Sequence, residues 1–155
     1  MKILLYLLAV AVLIFIIRLG DLYTQLSRYQ KFWDYQNRLP IAQDDFVYVA
    51  FGDSAAQGVG ASTPVRGYVG LIARQIHEDT GKNVKIINLS KSGGKIRDVI
   101  DTQIPKYKEI KKVDLVTIEI GANDILTFEP GEFRKDITEL MNLLPAGTVI
   151  SDIPS

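Results

Sequence analysis

A chain of 155 residues has room for one modest domain and an N-terminal appendage. Its 18 basic residues balance its 18 acidic ones, and the part after residue 20 is slightly acidic, so no basic face recommends nucleic acid as a partner. The lack of cysteine excludes a disulfide framework and thiolate metal sites, and a single histidine, His77, cannot build a zinc centre alone. Neither a metal nor a cofactor is expected.

The chain opens on an uninterrupted apolar run, Ile3–Ile17, bounded by Lys2 and Arg18. As a helix these 15 residues span about 22 Å, short of a hydrocarbon core of roughly 30 Å. Leu19 and snorkelling of the flanking Lys2 and Arg18 extend the reach, so residues 3–19 are expected to enter a membrane. A cleaved signal peptide is the competing reading, with a secreted product. The residues that follow, Arg18-Leu-Gly-Asp-Leu-Tyr23, offer no small-x-small cleavage site, which favours a retained signal anchor over residues 1–20. The basic residues do not fix its orientation, since Lys2 precedes the span while Arg18, Arg28 and Lys31 follow it.

Residues 21–45 form a juxtamembrane stalk and linker. Leu22, Leu26, Tyr29 and Trp33 recur at helical spacing. Their aromatic rings suit either the headgroup level of a bilayer or packing against the following domain, and the spacing does not choose between them. Leu39-Pro40 through Asp45 breaks the helix.

From residue 46 onward, strand and helix patterns alternate. Phe46–Phe51 is the first predicted strand, and Gly67–Thr80 a helix with Tyr68, Ile72 and Ile76 on one face and Gly81 at its stop. Val84–Leu89 is the second strand, followed by a helix Ile96–Ile104 ended by Pro105. Asp114–Ile120 is the third strand, Phe133–Leu144 a helix closed by Pro145, and Thr148–Ser151 a fourth strand. β–α units of this length imply an α/β domain with a parallel sheet covered by helices on both faces.

The residues suited to chemistry fall at the ends of the first three strands. Gly52-Asp53-Ser54 leaves the first, followed by Gly58 and Gly60; Asn88-Leu-Ser-Lys-Ser-Gly-Gly94 leaves the second; Gly121-Ala-Asn-Asp124 leaves the third. Strand ends are where open α/β sheets present reactive groups. A serine, a glycine turn and an asparagine gathered there would supply a nucleophile and two oxyanion donors. Each piece also has a purely structural reading. Ser54 could cap a helix or shape a turn, and Asn123 could close one.

Together the three blocks resemble the GDSL/SGNH hydrolase family. Phe-Gly-Asp-Ser-Ala-Ala-Gln-Gly-Val-Gly-Ala-Ser62 is similar to its first block, Ser92-Gly93 to its second, and Gly-Ala-Asn-Asp124 to its third; the resemblance covers roughly residues 46 to 155. It implies a flavodoxin-like three-layer α/β/α sandwich with strand order 2-1-3-4-5. It also implies Ser54 as nucleophile, with the backbone N–H groups of Ser54 and Gly93 and the side-chain amide of Asn123 as the oxyanion hole. Gly52, Asp53, Gly121 and Asp124 would be supporting residues, with the two carboxylates holding their turns by local hydrogen bonds. Glycine at 93 would leave room for the acyl carbonyl. The family's frequent pairing of an export segment with an extracytoplasmic domain implies a membrane-anchored domain on the outer side.

One departure stands beside these matches. The family's closing Asp-x-x-His, which supplies the general base and its orienting carboxylate, has no counterpart in residues 1–155. The fifth strand and its helices are likewise not supplied. The 46–155 domain is therefore expected to be C-terminally incomplete, and the chain inactive by itself. His77 does not fill the gap, because ten helical residues carry it about 15 Å from the Ser54 end of its helix, while a base must come within roughly 3 Å of the hydroxyl. Three functional classes follow: a serine esterase of the lipase, lysophospholipase or thioesterase type acting on an acyl ester, a non-catalytic remnant that binds acyl or glycan groups, and a polysaccharide O-acetyl esterase or transferase. An in-frame Asp-x-x-His after codon 155 would separate the first from the second.

Overall fold

The computed structural model describes residues 2–151. A four-stranded parallel sheet is built from β1 (Phe46–Gly52), β2 (Val84–Asn88), β3 (Leu115–Glu119) and β4 (Val149–Ile150), in the order β2-β1-β3-β4. Tyr48 pairs with both Ile86 and Leu115, and Gly52 with Glu119, so the three longer strands end at nearly one level. The predicted order 2-1-3-4 is the observed one. β1, flanked on both sides, is buried along almost its whole length, which is why it alone is a continuous apolar run.

Alternation along β1 divides the core. Val47, Val49 and Phe51 point to one face and pack with Ile96, Val99, Ile100, Ile104 and Leu140. Tyr48 and Ala50 point to the other and pack with Ala56, Val69, Ala73 and Trp33. The second face is covered by α2 (Tyr68–Thr80) and by the C-terminal half of α1 (Lys2–Arg38), an unbroken 37-residue helix. The aromatic stripe therefore packs into the domain. Trp33 is 1% exposed and Tyr29 4%, whereas Tyr23 and every large apolar residue from Ile3 to Leu19 stay exposed. The helix is a bare apolar rod at one end and a structural layer at the other.

In α2 the face turned inward centres on Val69, Gly70 and Ala73, with Tyr68, Ile72 and Ile76 half-buried beside them. The reason is close approach: a Cβ on Gly70 would lie 2.1 Å from the carbonyl oxygen of Val65. Gly81 ends the helix in the left-handed conformation (φ 69°), its N–H donating to the His77 carbonyl.

The helix over residues 96–104 differs from expectation. It does not stop at Pro105 but continues to Tyr107, as a short α3 (Ile96–Asp98), a π-helical segment Val99–Gln103, and α4 (Ile104–Tyr107). Proline has no N–H to donate and its ring crowds the carbonyl four residues back. Widening to π geometry, with the Ile104 N–H reaching the Val99 carbonyl, accommodates Pro105 without ending the helix. α5 (Pro130–Leu143) begins three residues before the expected Phe133 because Pro130 suits the first helical position. Arg97 bridges Asp136 and Glu139 of α5, the latter at 2.9 Å, fixing the α3 and α5 ends together.

Candidate active site

The C-terminal ends of β1, β2 and β3 are joined by one connected set of hydrogen bonds. The Asn123 amide nitrogen donates to Asp53 Oδ2 at 2.9 Å and to the Gly94 carbonyl at 3.0 Å, linking all three sequence blocks through one side chain. Asp53 Oδ1 accepts the Ala55 N–H at 2.9 Å, which shapes the turn carrying Ser54. The Lys91 N–H donates to the Gly52 carbonyl at 3.1 Å. Asp124 behaves otherwise than a local turn carboxylate. Its Oδ2 accepts the N–H of Ile96, 28 residues away, and so caps the start of α3.

Ser54 is half-buried, in a turn outside any helix, so it caps none. Among the described residues no side chain hydrogen-bonds its hydroxyl. The backbone N–H groups of Ser54 and Gly93 donate to no protein acceptor there either, although their neighbours Ala55 and Gly94 do. A half-buried N–H such as that of Ser54 is rarely left unpaired, whereas Gly93 is exposed and its N–H is open to solvent. Ser54 follows Asp53 and Gly93 precedes Gly94, the two partners of the Asn123 amide, so the three donors are gathered at one place. Gly93 has φ 73°, in the left-handed region, and a Cβ there would meet no protein atom within 4 Å. Glycine is thus required by the backbone turn, and the space above it is open. Gly52 (φ 140°) is required on both counts, since a Cβ would lie 2.4 Å from the Glu119 carbonyl oxygen.

Two buried glutamines that no motif singles out support this arrangement. Gln103, at the end of the π-helical segment, receives the Gly52 N–H on Oε1 at 3.0 Å and donates from Nε2 to the Gly52 carbonyl at 2.9 Å. Gln57, three residues after Ser54, donates to the Ser90 carbonyl at 3.0 Å and to Gln30 of α1 at 2.6 Å, and accepts from the Ser92 hydroxyl at 2.6 Å. Its backbone carbonyl accepts the Trp33 indole N–H at 3.0 Å. A glutamine has no periodic or motif signature, so only its depth of burial reveals the role.

Burial raises the pKa of Asp53, opposed by its bond to the Ala55 N–H and reinforced by Asp124. Burial likewise raises Asp124 and Glu119, the latter also through the nearby Asp53 charge. Tyr48 is pushed up to about 12 by burial, against its bond to the Thr117 hydroxyl at 2.8 Å. His77 lies at the opposite end of the sheet, where α2 turns toward the start of β2, with its Nδ1 2.7 Å from the Lys82 carbonyl. No group of three or more histidine or carboxylate side chains among the described residues is arranged to hold a metal. A groove of about 1220 Å³ runs along the open edge of β2 between Gln30–Gln43 and Lys106–Lys112, away from Ser54. Asn37 occupies part of that edge, its amide exchanging two hydrogen bonds with the Asn88 backbone as a neighbouring strand would.

A parallel sheet with a serine, a glycine and an asparagine on successive strand ends defines an SGNH-type hydrolase scaffold. Residues 50–148 match the GDSL-like lipase/acylhydrolase family, and the chain belongs to it. It is 34% identical over 92 residues to the spore germination lipase LipC of Bacillus licheniformis, a match covering 57% of this chain and 43% of that protein. The esterase AlinE4, of the SGNH-hydrolase family, superposes with a TM-score of 0.54 at 26% identity, over 66% of this chain and 54% of that one. TesA superposes with a TM-score of 0.57 at 23% identity, over 69% and 60%, a likeness of fold. The chain thus spans about half the length of the relatives it matches.

Proposed function

We propose that this chain carries the nucleophile and oxyanion hole of a serine-dependent carboxyl ester hydrolase. The observation that supports the reading best is the pair of unpaired N–H groups at Ser54 and Gly93, next to the amide of Asn123. The Ser54 hydroxyl attacks the ester carbonyl, and the carbonyl oxygen becomes an oxyanion facing these donors. Collapse expels the alcohol and leaves an acyl-serine, which water then hydrolyses. Both hydrogens of the Asn123 amide are engaged by Asp53 and Gly94, so the oxyanion has to share one of them. Asp53 is the positioning residue that aims the amide.

The proton of Ser54 needs an acceptor, and none of the described residues provides one, since His77 is at the far end of the sheet. Residues 1–155 by themselves are therefore proposed to bind acyl esters without useful turnover. In triad enzymes stripped of a member, the oxyanion donors alone leave about 10³–10⁴-fold over water, far below ordinary turnover. The test compares residues 1–155 with the product of the whole reading frame, using short-chain p-nitrophenyl esters. Equal activity in both, abolished by His77→Ala, would overturn this reading.

A further inference from the structure

The direction in which α1 meets the domain relates the site to the membrane. Taken from Gln25 to Asn37, its contacts run from the loop after Ser54 toward the sheet. Gln25 receives the Gly60 N–H at 3.0 Å, the Tyr29 hydroxyl donates to the Ala61 carbonyl at 2.6 Å, Gln30 and Trp33 hold Gln57, and Asn37 reaches Asn88. The helix thus descends from the strand ends that carry Ser54, Gly93 and Asn123. Its exposed apolar half, Ile3–Leu19, projects from that same end. Gln25 is six residues beyond Leu19 and Gln30 eleven, about 9 and 16 Å along the axis. The headgroup layer is about 5–8 Å deep on each side of the hydrocarbon. A membrane entered by Ile3–Leu19 would lie directly beneath the loop at Gly60, with the Ser54 turn facing it from slightly higher.

The side chains at that end fit such a surface. Ile125, Leu126 and Phe128, just after Asn123, are 62%, 83% and 52% exposed, and Val65 is 47% exposed. No acidic residue occurs from Ser54 to His77, while Arg66 stands in the loop that begins α2. Asp124, Glu129 and Glu132 stand beside the apolar residues after Asn123, so the fit to a lipid interface is one of exposed apolar area, which is costly toward water, and not of net positive charge.

We propose that the lipid bilayer entered by α1 is the surface this site faces, and that its acyl ester is presented from that bilayer. The substrate class is then a membrane-resident amphiphile with an acyl ester close to its headgroup. This assignment rests on the serine-esterase reading for its chemistry but not for its geometry. The chain has no cysteine, so single labelling sites can be introduced without background. The full chain carrying Leu126→Cys, Val65→Cys or Lys108→Cys, each labelled with an environment-sensitive fluorophore, is reconstituted in phosphatidylcholine–phosphatidylglycerol vesicles containing headgroup spin-labelled lipid. Positions 126 and 65 should shift to shorter wavelength and be quenched; position 108, at the opposite end beside α4, should do neither. Quenching at 108 equal to or above that at 126, or none at 126 and 65, would overturn the proposal. In a gene product active on p-nitrophenyl esters, a lipid ester in the enzyme's own vesicles should be consumed faster than the same ester in separate vesicles. Equal rates would overturn the substrate assignment. A quenched position 126 in a protein inert toward every ester would instead remove the hydrolase reading and leave the geometry standing.

Discussion

The side-chain amide of Gln103 closes a two-bond ring on the backbone of Gly52, accepting its N–H at 3.0 Å and donating to its carbonyl at 2.9 Å. Gly52 is two residues before Ser54, has φ 140°, and takes the last ladder position beside Glu119. The turn that presents the serine is thus held by a side chain from another part of the chain. Gln103→Ala should cost about 1–3 kcal/mol, because it leaves two buried backbone groups unpaired. Gln103→Glu should also destabilise at neutral pH, since a carboxylate offers the Gly52 carbonyl no hydrogen. Urea titrations of the three proteins decide this; midpoints equal to the parent would refute it.

Ser54→Ala should abolish p-nitrophenyl ester turnover in any form of the protein that shows it, while leaving the unfolding midpoint nearly unchanged. No hydrogen bond to the hydroxyl is lost among the described residues. Appreciable residual activity removes Ser54 from the mechanism.

Asn123→Ala should lower kcat by roughly 10²–10³ with a smaller effect on KM, the pattern of a lost oxyanion donor. It should also destabilise the fold, because the Asp53 carboxylate and the Gly94 carbonyl lose their shared donor. Asp53→Asn separates the two roles. It keeps the size but weakens the hold on the Asn123 amide, so kcat should fall less than for Asn123→Ala. An unchanged kcat in Asn123→Ala makes that residue a turn element only.

Glu119 gives a pH dependence of known sign. Burial first, and the Asp53 charge second, raise its pKa above the ordinary 4.5. A carboxyl whose folded pKa is raised favours the folded state while protonated, and that contribution is lost as pH rises through the folded value. Glu119→Gln should therefore raise the Tm at pH 7, with the gain shrinking as pH falls through the raised folded value and largely gone below the ordinary 4.5. Thermal melts at pH 3.5 and 7 measure this, and a gain of equal size at both would contradict it.

The docked half of α1 should be indispensable. Trp33→Ala removes a fully buried side chain and the donor to the Gln57 carbonyl, at about 3–5 kcal/mol. Residues 21–155 should fold and residues 46–155 should not, because the latter lack Trp33, which packs with Tyr48 and Ala50 of the sheet beside Val69 and Ala73 of α2. Circular dichroism and amide exchange distinguish these outcomes. A cooperatively folded 46–155 would reduce the helix to an anchor.

Much of this molecule is legible in the chain, for local reasons. A run of six apolar residues before Gly-Asp-Ser reads as a buried strand, which it is, and the positive-φ turns at the strand ends ask for glycine at 52, 93 and 121. The 2-1-3-4 order followed from the resemblance, and the apolar rod Ile3–Leu19 is visible in composition. What tertiary structure alone decided are the partners of side chains with no pattern of their own. Gln103 and Gln57 look like surface residues in sequence and are buried at 1% and 0% exposure. Asp124 looks like a local turn carboxylate in sequence, yet it caps a helix 28 residues away. Pro105 signals a stop in sequence, and a π turn carries the helix past it. The stripe on α1 fitted a membrane interface and a protein core equally. Only the position of the sheet beneath it placed Tyr29 and Trp33 inside, because spacing shows that a face is apolar and the fold determines what covers it.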